Sequence, residues 1–439
     1  MKKKINTNNI YDKYITMDNL YKMWDIIKST CKNKKEVYKF SLNLNTNIYN
    51  IYVSLKNKTY VPDKYMTFMI FEPKPRLVMS QSIKDKIVNH FITNYYLIPY
   101  LESSLIDSNV ATRRGKGSSY GNYLLQKYFN KLLINNRDCE IYCLKMDVSK
   151  YFYSINHDIL VSMLGKRIKD NDVLNIIKLV ISQTNNDYIN KNISYYNNKY
   201  NTDIPYYIND TGLSIGAMVS QFLAIFFLNE IDHYIKEKLD CKYYIRYMDD
   251  LVILDVNKEK LKRIYNIISE KLNALKLRVN KKSNIYSCSN GFSFLGYTYK
   301  TINNKLYVSC KKTTYNRVMK KLFYLQKHDR VKYRKSLGSY YGYLTNIDKI
   351  NLKLNNRELF DLYRIKYNDY ILIIKDKNRY YLFCNNALTV RILIGYKLSN
   401  KIFCMYNNMF DIILKKLSFY NIIVLNKLEI LLEIQRSVT

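Results

Sequence analysis

Residues 245–256 read IRYMDDLVILDV: two adjacent acids, Asp249 and Asp250, stand between two apolar, β-rich runs. Such runs form strands, and a polar break between them marks a hairpin. A second stretch, IYCLKMDVSKYFYSI, begins as a short apolar strand and carries one acid, Asp147, where the strand ends. Carboxylates brought together inside apolar surroundings are costly unless something neutralises them. Divalent cations do so: Mg²⁺ prefers oxygen ligands, and a metal pair ~3.5–4 Å apart stabilises both the attacking and the leaving oxygen of a phosphoryl transfer. Asp147 and Asp249 fit that role. The competing reading, a solvated turn at MDD, leaves unexplained why apolar residues flank both acids so tightly.

Charge points to the same kind of partner. Lys and Arg total 71 against 36 Asp and Glu, a formal net charge of +35, far above the values usual for a soluble domain. An AT-rich codon bias accounts for Lys in place of Arg, but not for the excess of cations over anions. The excess indicates a polyanion bound by salt-dependent, sequence-blind phosphate contacts. The 46 tyrosines supply rings that either stack on bases or pack half-buried. Eight cysteines lie scattered with no CxxC pair, and only four histidines are present, which argues against a structural zinc or a zinc-bearing nuclease module. The start, MKKKINTNNIYDKY, lacks the apolar stretch of a secretory signal, and the longest apolar run, Phe222 to Leu228, is too short to span a bilayer. A cytoplasmic protein with reduced thiols and no membrane partner is expected.

At 439 residues and 48% apolar content, two to four domains are expected. With 5 prolines and 11 glycines no linker announces a boundary, so pattern changes must serve. Residues 18–60 read as two amphipathic helices, DNLYKMWDIIKSTCKNK and TNIYNIYVSLKNK. YMTFMIFEP is β-like, SIKDKIVNHFITNYYLIPYL helical, and a basic loop TRRGKGSS precedes another helix. GLSIGAMVSQFLAIFFLNEIDHYIKEKL is a Gly-bearing loop opening a long helix. Basic helical text follows about Thr298, and the tail alternates apolar runs such as YILII and YYLF with helices. The reading is α+β, divided into a helical N-terminal extension at 1–64, a central domain at 65–297, a helical segment at 298–350 and a small α+β module at 351–439.

DVSKYF, GLSIGAMVSQ, YMDD and FLGY stand in the order and approximate spacing of a reverse transcriptase palm. The chain resembles the bacterial reverse transcriptases over residues 15–345: EPKPRLVMSQSIKDKIVNHFI resembles the first fingers motif, RRGKGSSYGN the second, LRVNKKSNI the lysine-bearing fourth palm motif and FLGY the primer grip. The resemblance implies a right-hand polymerase fold with fingers, an antiparallel palm sheet with helices, and a helical thumb. It implies that Asp147 and Asp249 hold two Mg²⁺ ions, with Mn²⁺ as a substitute, assisted by the Val148 carbonyl and supported by Asp250. It places Phe152 as an aromatic gate against the sugar 2′-hydroxyl. Arg76 and Lys74 would clamp the triphosphate, the fork of Arg suiting two phosphate oxygens, and Lys282 would protonate the leaving pyrophosphate. Gly216, Ser220 and Gln221 form an IGxxxSQ loop under the incoming nucleotide. That loop departs from the QGxxxSP form of group II intron enzymes and retrons, and resembles the error-prone enzymes of diversity-generating retroelements. Antiphage-defence reverse transcriptases vary at the same loop.

The expected function is RNA-directed DNA synthesis. Expected partners are an RNA template (a dedicated non-coding RNA encoded nearby), a cDNA or primer strand, dNTPs, and an accessory protein or a second copy of the chain. An antiphage enzyme making cDNA or untemplated DNA is the alternative, and a non-catalytic RNA-binding or maturase protein a third, against which the intact acids and Phe152 speak. In its aromatic YYLF followed by a small-residue helix, the tail resembles the mismatch-recognition domain of DNA repair proteins; it is assigned no role. No endonuclease, RNase H or protease signature is visible.

Overall fold

A computed structural model describes residues 9–71, 74–137, 139–344, 355–364, 367, 369–395, 402–426 and 429–434. The chain forms two compact units, Met1–Asn290 and Gly291–Thr439.

The first unit opens on amphipathic helices. Met17–Thr30 buries Leu20, Met23, Trp24 and Ile27, spaced by three and four residues, and its first turn is capped by the Thr16 hydroxyl, which accepts from the Asn19 N–H. Leu44–Lys56 buries Ile48, Ile51 and Leu55. The text between them was expected to join two helices, but it forms a helix of its own, Lys34–Ser41. The Asn33 side chain accepts from the Glu36 N–H and starts it, while Val37 is its only fully buried residue. One buried residue gives little apolar periodicity to read.

A hairpin follows, β1 (Met66–Ile70) and β2 (Arg76–Ser80), in register from Met66 opposite Ser80 to Ile70 opposite Arg76. Leu77 and Met79 of β2 pack with Tyr65 against Ile189 and Ile193 of the helix Asp187–Tyr200. The central sheet is antiparallel and runs in the order β4-β5-β3-β6: β3 is Tyr142–Met146, β4 Tyr244–Tyr247, β5 Asp250–Asp255 and β6 Asn284–Ser287. The helix Lys258–Ala274 buries Leu261, Ile264, Ile268 and Leu272 in the same core as Leu144, Leu251 and Ile253 of that sheet. Met218–Phe227 is buried on nearly all sides, as a helix apolar all round must be.

The second unit begins with β7 (Phe292–Phe294), β8 (Tyr297–Ile302) and β9 (Lys305–Cys310), a three-stranded antiparallel sheet. Leu295 and Gly296, both at positive φ, make the turn in FLGY. Helices Lys312–His328 and Arg330–Leu344 follow. The tail is a five-stranded mixed sheet in the order β12-β11-β10-β13-β14: β10 is Tyr370–Asp376, β11 Arg379–Phe383, β12 Ile402–Tyr406, β13 Asn421–Asn426 and β14 Glu429–Ile434. Among the described strands only β10 and β13 pair in parallel. YILII lies in β10 and YYLF in β11. Helices Cys384–Ile394 and Asn407–Lys416 bury Val390 and Ile413 in its core. Among the described residues no helix is long and apolar enough to cross a membrane.

Candidate active site

The MDD sequence forms the turn between β4 and β5. Tyr247 faces Asp250 as the last pair of the ladder, so Met248 and Asp249 make the loop. Met248 stands at φ +56°, a left-handed backbone costing a non-glycine residue ~1–2 kcal/mol. A positive φ at the first loop residue is the pattern of a II′ hairpin turn, whose twist matches that of the strands. Asp250 opens β5, and Asp147 lies just past the end of β3, which is the neighbour of β5 in the sheet. Sheet order and register therefore bring the three acids to one end of the two central strands.

Their electrostatics record that crowding. Burial, and then the neighbouring Asp147 carboxylate, push the Asp249 carboxyl up to about 7. Burial likewise pushes Asp250 up to about 6, against the pull of the Lys145 ammonium, whose Nζ is 3.4 Å from Asp250 Oδ2. Asp250 Oδ1 is buried and has no hydrogen-bond partner. Among the described residues no three His, Cys, Asp or Glu side chains converge as a ready-made cage; the acids stand as the pair Asp147 and Asp249 with Asp250 alongside. Hard oxygen donors, an orphaned carboxylate oxygen and mutual repulsion fit divalent cations that keep part of their shell for water and substrate phosphates.

The loop 278–283 fixes Asp147. Asn280 Nδ2 donates to Asp147 Oδ2 at 2.8 Å, the Asn280 N–H donates to the Asp147 carbonyl at 2.8 Å, and the Asp147 N–H donates to Ser283 Oγ at 3.0 Å. With Ser149 N–H donating to the Arg278 carbonyl, Val148 and Val279 form a non-hydrogen-bonded antiparallel pair. The Val148 carbonyl therefore points away from that strand, as a backbone ligand must. Lys282, in the same loop, is exposed.

Phe152 lies in the one-turn helix Tyr151–Ser154, entered through Lys150 at φ +51°. It is half-buried, and its carbonyl accepts from the Leu213 N–H at 2.6 Å, which ties it to the loop leading to Gly216. Gly216 has φ +121°, and a Cβ there would lie 3.1 Å from the Met79 carbonyl oxygen and 3.2 Å from Val78 Cγ1. Glycine is needed because β2 passes so close, and the Met79 N–H donates to the Ile215 carbonyl at 2.9 Å. This contact brings the strand of Arg76 to the palm, where the Arg76 charge is felt by the Tyr153 phenol. Arg76 and Lys74 are themselves exposed. Ser220 Oγ lies 3.0 Å from Ser214 Oγ, closing the loop, and Gln221 is half-buried in the first turn of Met218–Phe227. The structure thus gathers Asp147, Val148, Asp249 and Asp250, links Phe152, Gly216 and the strand of Arg76, and leaves Lys74 and Lys282 as exposed cations.

A model of the family described as "Reverse transcriptase (RNA-dependent DNA polymerase)" matches residues 67–299. The chain belongs to the reverse transcriptase family. Its fold is the α+β right-hand polymerase fold. The putative COX1/OXI3 intron 2 protein of Saccharomyces cerevisiae is 28% identical over 151 residues, 33% of this chain, and the matched part is 16% of that relative's length. Apo telomerase from Candida tropicalis is similar with a TM-score of 0.42 and 13% identity, over 63% of this chain and 51% of that one. Telomerase from Candida albicans in complex with a fragment of telomeric RNA gives a TM-score of 0.41 and 13% identity over 76% and 57%. The chain thus spans about half of these telomerases.

Asn280, Ser283 and Lys145 escaped the sequence reading. The signal for Asn280 was its place two residues before Lys282 in LRVNKKSNI, and for Lys145 a lone cation in an apolar strand.

Proposed function

We propose that this reverse transcriptase family member is an RNA-directed DNA polymerase that makes cDNA on an RNA template. The observation that carries the reading is the pairing of Asp147 with Asp249, with Asp250 beside them, at one end of the central strands of one sheet. In the reaction the primer 3′-oxygen bonds to the α-phosphorus of a dNTP, the bond to the β-phosphate bridging oxygen breaks, and pyrophosphate leaves. Two Mg²⁺ ions, or Mn²⁺ in their place, when held by Asp147, Asp249, Asp250 and the Val148 carbonyl, would stabilise the charge on the attacking and leaving oxygens. Asn280 and Ser283 orient Asp147. Arg76 and Lys74 supply cations for the triphosphate, and Lys282 a proton for the departing pyrophosphate. Gly216 and Gln221 lie under the nucleotide, and Phe152 excludes a 2′-hydroxyl by its bulk. The excess of positive charge serves the RNA template and the primer strand. Within the family, the IGxxxSQ loop supports kinship with bacterial enzymes of error-prone retroelements, working on a dedicated non-coding RNA in the cytoplasm; defence against phage is the rival role.

The test is primer extension on a defined RNA template with Mg²⁺, dNTPs and rNTPs. Template-directed cDNA is expected, and Phe152→Val should raise rNTP relative to dNTP efficiency by about tenfold or more. Absence of extension in wild type would sink the reading. An unmoved ratio would leave Phe152 as packing alone.

A further inference from the structure

β4 carries a charge that neither the metal site nor nucleotide binding uses. Arg246 is 0% exposed, and so is Asp232, on the short helix Asn229–His233. Arg246 Nε donates to Asp232 Oδ1 at 2.7 Å and Nη2 to Asp232 Oδ2 at 2.5 Å. Nη2 also donates to the Ile225 carbonyl at 2.8 Å, and Nη1 to the Met248 carbonyl at 2.7 Å. Asp232 Oδ1 accepts a further bond from the Tyr244 hydroxyl at 2.6 Å. The backbone is engaged as well: the Arg246 N–H donates to the Ser108 carbonyl at 3.0 Å and its carbonyl accepts from the Val110 N–H at 2.9 Å. Two residues further on, Thr112 stands at φ +56°, strained for a β-branched residue, with its hydroxyl 3.9 Å from Met248 Sδ.

A buried ion pair is a poor device for stability alone, because well-packed apolar residues of the same volume do as well or better. What apolar residues cannot do is direct a hydrogen bond at one carbonyl. The carbonyl in question belongs to Met248, the left-handed residue of the turn, and its orientation sets where the next residue, Asp249, stands. We propose that Arg246 is a positioning residue: clamped by Asp232, its guanidinium holds the Met248 carbonyl and so fixes the strained turn that presents Asp249 and Asp250. Asp232 is the clamp, and the segment Ser108–Thr112 flanks the turn from outside the sheet. The activity arm of this inference rests on the polymerase reading; the metal-binding arm does not.

The experiment compares wild type, Arg246→Lys, and Arg246→Lys with Met248→Asn, since asparagine adopts the left-handed region readily. Mn²⁺ binding is read from the EPR signal of the free ion, folding from thermal melting, and activity from primer extension. Lysine keeps the charge but cannot span Asp232 and Met248 together. Expected for Arg246→Lys are cooperative melting, Mn²⁺ affinity or kcat lowered about 10- to 100-fold, and little change in KM for dNTP. Adding Met248→Asn should restore part of both losses. The proposal is overturned if Arg246→Lys leaves kcat and Mn²⁺ affinity at wild-type levels, if asparagine restores neither, or if Arg246→Lys no longer melts cooperatively, because the pair then holds the fold rather than the turn. Should wild type itself extend no primer, the polymerase reading falls, and Mn²⁺ binding alone decides the role of Arg246.

Discussion

The palm sheet and the C-terminal sheet are built on opposite terms. Among the described residues, and tyrosine and cysteine apart, the buried polar and charged residues run from Gln81 to Arg246, in the first unit. The five-stranded sheet of the second unit buries Ile371 to Ile374, Leu382 and Ile422 to Leu425, all apolar. Desolvating a polar group is unfavourable unless it is fully bonded. The palm accepts that cost beside its acids, at Asp232 and Arg246; among the described residues of the C-terminal strands, Tyr380 alone is buried and carries a polar group. Apolar burial there buys stability without chemistry, and the difference locates the working surface of the chain more sharply than overall charge does.

The contrast can be broken most directly at the acids. Asp249→Ala with Asp250→Ala should lower primer extension by about 10³-fold or more, since several kcal/mol of charge stabilisation are lost, while a titration with RNA should show binding nearly intact. Activity within tenfold of wild type would refute the metal assignment. In the apolar sheet, Leu372, fully buried, should cost ~2–5 kcal/mol of unfolding free energy on mutation to alanine and leave Mn²⁺ binding unchanged. A joint loss of melting stability and metal affinity would erase the distinction between the two sheets. Asn280→Ala, which removes the donor to Asp147, should lower kcat or metal affinity about 10- to 100-fold with melting little altered.

The smallest effect concerns pH. Asp249 and Asp250 have folded values raised to about 7 and about 6, so the metal-free folded chain takes up their protons more readily than the unfolded one. Their contribution to stability is fully present below the ordinary carboxylate range and is lost as pH rises through those values. Melting in EDTA should therefore show this pair weakening the fold between about pH 5 and about pH 8, and Mg²⁺ should raise the melting temperature more at the upper end. Equal Mg²⁺ shifts at both ends would count against coupled acids.

The turn at MDD was legible because acids interrupt apolar runs, a local pattern. The partners of those acids were not. Asn280 reaches Asp147 across 133 residues, and only sheet order puts them together. In sequence Arg246 is one more cation in a basic chain, since nothing near it names Asp232 as its partner. The helices His157–Gly165, Asn171–Ile181 and Asp187–Tyr200 lie between DVSKYF and GLSIGAMVSQ and carry no motif themselves. The tail sheet showed its strands through apolar runs, but the parallel pairing of β10 with β13 depends on a crossover that no short pattern encodes.

The middle place of β3 also governs how the chain comes together in time. Tyr142 pairs with Asp255 on one side and Ser287 on the other, so both neighbours of β3 are made long after it. At ~5–20 residues per second of synthesis, an apolar strand waits on the order of ten seconds with both edges open. Chaperone capture or self-association during that interval is the natural hazard. Lys145, the one charge in YCLKM, then acts as a gatekeeper for the nascent strand before it becomes the neighbour of Asp250.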